Sequence, residues 1–303
     1  MNHRELVSRI MDLKKETKTV IMAHNYQRPE VQDVADILGD SLELARLARE
    51  LKEERILLCG VRFMAESAKI VAPEKTVLTP EEEAGCPMAD MISAEDVRRL
   101  RKEFPGYLFM AYVNTSAEVK AEVDLCCTSS NALALVRKLK GEKIFFLPDK
   151  NLGSWIKDQT GADMEVWPGF CYVHNRIRME DLEKGRAEHP GAEAIIHPES
   201  PLDVLKAADA VLSTGQMITY VREVQAKSFL VGTEEGMIYR LETLFPDRDF
   251  YPMGKRFTCE NMKKITLEKV FQALLTGEKP INVDSETIRR ASRSLDRMLE
   301  MSR

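Results

Sequence analysis

The 303-residue chain is 44% hydrophobic and 31% charged, the balance of a globular protein with a real core, which excludes a disordered or fibrous chain. Its 44 basic and 49 acidic residues leave a net charge of −5, with no long-range pull toward nucleic acid or an anionic membrane, so an anionic ligand has to be held by local devices. Met1 to Val20 has no uninterrupted apolar run, and no later stretch is apolar for long enough to cross a bilayer, which reads as a cytoplasmic protein without a secretory signal.

In chain order, a short apolar strand ends at His24, Asn25 and Tyr26, and leads through a helical pattern to Asp36 and the turn Gly39-Asp-Ser-Leu42. A further apolar strand, Arg55 to Gly60, follows. The layout returns as Tyr107 to Asn114, Asp124, the turn Cys127 to Asn131 and the strand Lys143 to Pro148. It returns again as Ala194 to Ser200, Ala208 to Gly215 and Lys227 to Gly232. Each copy then reaches one cysteine. Tyr112 lies 88 residues after His24 and His197 lies 85 after Tyr112, while Cys171 lies 85 after Cys86 and Cys259 lies 88 after Cys171.

Internal similarity at a fixed period marks a repeated supersecondary unit. Strands alternating with helices imply parallel sheets, right-handed crossovers and ligands outside the carboxyl ends of the strands. The expectation is an α/β fold of three pseudo-threefold-related small three-layer α/β/α domains with parallel sheets, spanning residues 14–88, 89–173 and 174–261, with the active site at their common interface. Residues 1–13 and 262–303, the latter amphipathic around Leu267 to Leu275, are expected as terminal helical segments on the outside.

Six cysteines in a reducing compartment are expected to be buried, metal-bound or catalytic. No Cys-x-x-Cys occurs, and Cys59 and Cys126 read as packing thiols of apolar strands. Cys86, Cys171 and Cys259 recur in register, so a pseudo-threefold axis brings them together. Three thiolates are one fewer than an electron-transfer [4Fe–4S] cluster takes, which leaves one iron open as a Lewis acid. A structural zinc with His174 as its fourth ligand is the alternative.

The strand ends carry His24, Asn25, Tyr26 and Ser41 in the first unit, Tyr112, Asn114, Ser129 and Ser130 in the second, and His197, Glu199, Ser213 and Thr214 in the third. Ser41, Ser129, Ser213 and Thr214 each precede an apolar helical pattern and are expected as N-caps. Helix N-termini converging on one place would hold a dianionic, phosphorylated substrate. No GxGxxG follows the first strand and no Walker A sequence occurs, so nucleotide cofactors are not indicated. Two classes of function stay open on the residues alone: an enzyme, or a regulatory module that senses oxygen or metal without catalysis.

Ala23-His-Asn-Tyr26, Gly39-Asp-Ser41, Gly85-Cys-Pro-Met-Ala-Asp90, Cys127-Thr-Ser-Ser-Asn131, Trp167-Pro-Gly-Phe-Cys-Tyr-Val-His174, His197-Pro-Glu199, Val231-Gly-Thr-Glu234 and Cys259-Glu-Asn-Met262, in this order, resemble the quinolinate synthase family over nearly the whole chain. The resemblance implies a transferase-type enzyme of NAD, or pyridine nucleotide, biosynthesis. Iminoaspartate and dihydroxyacetone phosphate would condense to quinolinate with loss of phosphate and two waters, beside a [4Fe–4S] cluster ligated by Cys86, Cys171 and Cys259. It further implies Tyr26, His24, His197 and Glu199 as acid–base groups, and Ser41, Tyr112, Asn114, Ser129, His174, Ser213 and Thr214, together with His24, His197 and Glu199, as substrate ligands. An L-aspartate oxidase or dehydrogenase is implied upstream, with neither nucleic acid nor membrane as partner. Ser200 stands where many members carry cysteine.

Overall fold

A computed structural model describes residues 1–278 and 280–302; residues 279 and 303 of the expected terminal segment lie outside the described residues. Among the described residues, short apolar runs form twelve strands in three sheets. The first sheet holds β1 (Thr19–His24), β2 (Ile37–Gly39), β3 (Arg55–Cys59) and β4 (Thr76–Leu78). The second holds β5 (Leu108–Tyr112), β6 (Leu125–Cys127), β7 (Ile144–Leu147) and β8 (Met164–Val166). The third holds β9 (Glu193–Ile196), β10 (Ala210–Val211), β11 (Ser228–Gly232) and β12 (Asp249–Pro252). Each sheet has the same order, second-first-third-fourth, and every pairing is parallel.

The expected α/β class is therefore present three times over, as parallel sheets flanked by helices. Helices on both faces explain why the inner strands are continuous apolar runs rather than alternating ones. In β7 all four residues are buried, as are the last four of β3, β5 and β11.

One device repeats in all three sheets. Asp36, Asp124 and Asp209 stand before the second strand of their units, and each carboxylate accepts the backbone N–H of the first strand, from Ile21 at 2.9 Å, Phe109 at 2.8 Å and Ala194 at 2.8 Å. The same aspartates donate their own N–H to the carbonyls of those residues. A charge-assisted bond at this point fixes where the second strand joins the first.

The terminal helices have distinct neighbours. Helix His3–Glu16 lies along helix Leu267–Thr276, both against the first sheet. Helix Ser285–Met301 lies across β6, the edge strand of the second sheet, and buries Ala291, Leu295 and Met298 completely. Covering an edge removes a template for unwanted strand pairing. Cys59, Cys126 and Cys127 are buried in strands, and the Cys126 thiol donates to Ser294 Oγ of that helix at 3.3 Å. Among the described residues no helix is long and apolar enough to cross a membrane.

Leu295→Ala should lower the unfolding free energy in urea by about 2–5 kcal/mol, because the cavity sits under a helix pinned at both ends. Leu275→Ala, at a side chain that is 51% exposed, should stay within about 0.5 kcal/mol.

Candidate active site

The carboxyl ends of all three sheets face one cavity of about 70 Å³. The residues leaving the first strand of each unit, His24, Tyr112 and His197, line it, and so do those two positions later, Tyr26, Asn114 and Glu199. Ser41, Ser129 and Thr214 line it from the turns after the second strands. Within each triple the members are 88 and 85 residues apart, so the repeat brings equivalent positions to one centre. His174, Cys86, Cys171 and Cys259 complete the group expected there.

Ser213 is absent from the lining, and the expected capping pattern needs correction. Asp40, not Ser41, caps helix Ser41–Glu50, accepting from the N–H groups of Leu42 at 3.0 Å and Glu43 at 2.9 Å. Ser213 caps helix Thr214–Glu223 in a reciprocal box with Gln216. The third helix, Ala132–Lys138, starts after Asn131, whose side chain accepts from Thr128 N. The cap thus falls one residue before Ser41 and Thr214, and Ser129 lies ahead of its helix; these three hydroxyls face the cavity. Ser130 donates to Asp40 Oδ2 at 2.5 Å and shares a 2.9 Å bond with the Ser213 hydroxyl. Asp40 lines both the inner cavity and an outer one of about 610 Å³, which Ser130 also lines.

Glu199 is the electrostatic centre. Tyr112 donates to its Oε1 at 2.5 Å and His174 Nδ1 lies 2.8 Å from its Oε2. Burial alone would raise its pKa, but the neighbouring imidazoles of His174 and His197 and the hydrogen bonds from His174 and Tyr112 outweigh burial and hold the carboxyl well below the usual range. An ionised carboxylate only accepts, so Nδ1 of His174 carries its proton. Burial pushes the phenols of Tyr26 and Tyr112 well above their ordinary value, and the Glu199 charge adds to this.

Burial also lowers His24 to about 4, against partial support from Asp40 and Glu199, and lowers His197 to about 3 with help from His174. Both imidazoles are neutral at pH 7. Their tautomers are set alike, since Tyr26 N donates to His24 Nδ1 at 3.1 Å and Glu199 N to His197 Nδ1 at 3.5 Å. Each ring therefore offers Nε2–H as a donor.

Each of Cys86, Cys171 and Cys259 opens a short helical turn, Ala89–Met91, His174–Arg176 and Met262–Lys264 respectively. Backbone N–H groups of those turns reach the sulfurs: Ala89 and Met88 for Cys86, His174 for Cys171, Met262 and Asn261 for Cys259. Burial nevertheless raises all three thiols, Cys86 to about 12. Two of the three loops hang on buried carboxylates, for Asp149 Oδ2 accepts Cys171 N at 3.0 Å and Glu234 Oε1 accepts Cys259 N at 3.0 Å. Lys263 pairs with Glu234 at 2.9 Å. Ligand atoms of Cys171, His174 and Glu199 also lie within 4.8 Å of one another, close enough to hold a metal ion.

Asp40, Thr128, Asp149, Thr233 and Glu234, with the apolar wall of Phe63, Met64, Met88 and Met262, escaped the sequence reading. The same 88- and 85-residue offsets, carried to the ends of the third strands, run through Val61, Asp149 and Glu234 and would have found two of them. The apolar wall has no such signal, because core residues look alike in sequence.

Titratable groups and partly buried thiols gathered at a shared sheet edge define an α/β enzyme with a metal-competent centre. Residues 8–300 match the family described as NadA: Quinolinate synthetase A protein, and the chain belongs to that family. The quinolinate synthase of Dehalococcoides mccartyi (strain CBDB1) is 48% identical over 300 residues, 99% of both chains. That of Caldicellulosiruptor bescii is 47% identical over 302 residues, covering 99% of this chain and 100% of its own. That of Aquifex aeolicus (strain VF5) is 46% identical over 305 residues, covering 99% and 95%. The alternative of a non-catalytic regulatory module falls with this kinship.

The buried neutral histidines predict a pH dependence. Unfolded histidine binds its proton near 6.5, above the folded values of about 4 and about 3, so their contribution is complete above about pH 6.5 and is lost on acidification. Glu199 acts in the same direction only below its unfolded value near 4.5. Urea unfolding should therefore show a loss of roughly 2 kcal/mol per histidine between pH 6.5 and 5, and the slope should flatten in His24→Gln/His197→Gln.

Proposed function

We propose that the chain condenses iminoaspartate with dihydroxyacetone phosphate to quinolinate, with loss of phosphate and two waters, using a [4Fe–4S] cluster held by Cys86, Cys171 and Cys259. The observation that carries this reading is the threefold cysteine cradle: three in-register thiols on one cavity, each reached by N–H groups of its own helical turn. Thiols raised by burial ionise only against a strong local cation, and a coordinated metal displaces such protons outright. In the Cys₃His zinc alternative His174 would have to give up its Nε2 contact with the Thr233 hydroxyl at 2.8 Å, its Nδ1 lying 2.8 Å from Glu199 Oε2. When bound, a cluster with three protein thiolates supplies one open iron as a Lewis acid for a substrate oxygen or nitrogen.

The remaining work belongs to side chains. Ser41, Ser129 and Thr214 meet carboxylate and phosphate oxygens at the mouths of two helices, where the dipole favours anions. Asn114 Oδ1, buried with no partner among the described residues, accepts from a substrate N–H or O–H. Neutral His24 and His197 donate through Nε2 without adding charge, and ionised Glu199 serves as base beside the phenols of Tyr26 and Tyr112. Phe63, Met64, Met88 and Met262 exclude water from the reactive imine.

The same reading takes residues 14–88, 89–173 and 174–261 as the three units, with 1–13 and 262–303 outside them. It places the enzyme in the cytoplasm, downstream of an L-aspartate oxidase or dehydrogenase.

Protein purified without oxygen should be brown and carry about four irons per chain. Mixed with dihydroxyacetone phosphate and freshly generated iminoaspartate, it should release quinolinate. Cys171→Ser should lose iron and product together, whereas Cys126→Ser should keep both. Zinc in place of iron, or equal iron loss in the two variants, overturns the assignment.

A further inference from the structure

Lys263 carries a charge that the proposed chemistry leaves without a task. It stands four residues past Cys259, on the short helical turn Met262–Lys264, and its side chain is only 11% exposed. An ammonium drawn in this far loses its hydration, so each of its three protons needs an acceptor. Nζ has three: Glu234 Oε1 at 2.9 Å, Glu234 Oε2 at 3.1 Å and the backbone carbonyl of Tyr26 at 2.6 Å.

These partners belong to different units and to different parts of the site. Glu234 is fully buried on the turn after β11. Its Oε1 accepts Cys259 N at 3.0 Å and its Oε2 accepts Gly236 N at 2.7 Å, so the carboxylate that meets the ammonium also holds the cysteine loop. Tyr26 follows β1 in the first unit, and the carbonyl that meets the ammonium belongs to the residue whose side chain lines the cavity.

The two turns are in direct contact. A Cβ on Gly236 would fall 2.8 Å from both C and O of Tyr26. The buried amide of Gln32 bonds across the same contact, to Asn25 O at 3.1 Å, Gln27 O at 2.9 Å and Gly236 O at 3.0 Å. From the first unit, Arg28 Nε donates to Lys263 O at 2.8 Å. The positions equivalent to Lys263 by the 88- and 85-residue offsets are Asn175 and Asp90, neither of them a cation.

We propose that Lys263 is a positioning residue that fixes two parts of the site to one another. Through Glu234 it sets the Cys259 loop, and through the Tyr26 carbonyl it sets the point from which the phenol reaches the cavity. This rests on the reading of Cys259 as a cluster ligand and Tyr26 as an acid–base group. Neutralising Glu234 is the simpler task for the same lysine. The two tasks are separable, because neutralisation involves the carboxylate alone, whereas positioning also involves the Tyr26 carbonyl.

Lys263→Met removes the ammonium and leaves Glu234 buried without it. Glu234→Gln/Lys263→Met removes both charges, keeps an oxygen that can accept Cys259 N, and leaves the Tyr26 carbonyl without its lysine. In iron-loaded protein we expect Lys263→Met to release iron to a chelator about tenfold faster than the parent, and to lower kcat for quinolinate about 10–10²-fold. The double variant should release iron within about twofold of the parent's rate and still show the low kcat per loaded cluster, with KM within about threefold. It carries the test should the single variant not fold. The proposal is wrong if the double variant turns over within about twofold of an active parent, if the whole loss lies in KM, or if folded Lys263→Met holds iron as firmly as the parent. A parent that makes no quinolinate would instead overturn the underlying function, and the iron-release comparison would still report on the Cys259 loop, which keeps the two failures apart.

Discussion

The site depends on one buried anion. Glu199 is 3% exposed, and a carboxylate taken that far from water costs several kcal/mol unless donors replace its hydration. Those donors come from elsewhere in the chain: Tyr112 from the end of β5, and His174 from the turn after Cys171. Through Thr233 the same carboxylate reaches Tyr26, at the end of β1. Glu199, just past β9, is thus satisfied from the end of β5 and from the turn after Cys171, so the second and third sheets must be docked before the charge is met. The neutrality of His24 and His197 follows, since burial penalises every further charge in the same volume.

A triplicated fold lets the conserved and the divergent positions be told apart within one molecule. Asp36, Asp124 and Asp209 keep one identity because each does one backbone job. Ser41, Ser129 and Thr214 keep a hydroxyl at equivalent places on the cavity wall. Tyr26, Asn114 and Glu199 share a location and nothing else: phenol, amide and carboxylate stand where symmetry would have put three copies of one group. Catalysis needs that difference, because a donor and an acceptor must face a substrate that is itself asymmetric.

The architecture was legible because it rests on apolar periodicity and on a repeat length that sequence displays directly. The convergence of Cys86, Cys171 and Cys259 followed from their register alone. Capping was misread by one residue at Ser41 because a hydroxyl and a carboxylate compete for the same N–H groups, and Asp40 lies nearer the strand end. The partner of helix Ser285–Met301 was not legible, since an amphipathic pattern names a buried face without naming what covers it. Asp149 and Glu234 were hidden because a loop carboxylate reads as solvated until the fold buries it.

Those two carboxylates bear on how a chain of net charge −5 tolerates three sulfurs and the Glu199 anion in one place. Among the described residues lining the cavity there is no Lys or Arg. Asp149 is pushed well above the ordinary carboxyl range, first by burial and then by Glu199, so it favours the protonated form. Glu234 is raised by burial, and Lys263 offsets part of that rise. The first unit has Val61 at the equivalent position, and its cysteine loop is held by a backbone bond, Arg62 N to Ala84 O at 2.8 Å. Near the sulfurs a carboxyl is thus biased toward its protonated form in one unit, paired with a lysine in the next, and replaced by Val61 in the third. The polar groups left on the cavity wall are hydroxyl, amide and imidazole dipoles, which can meet an anion without bringing a counter-charge that would itself have to be buried.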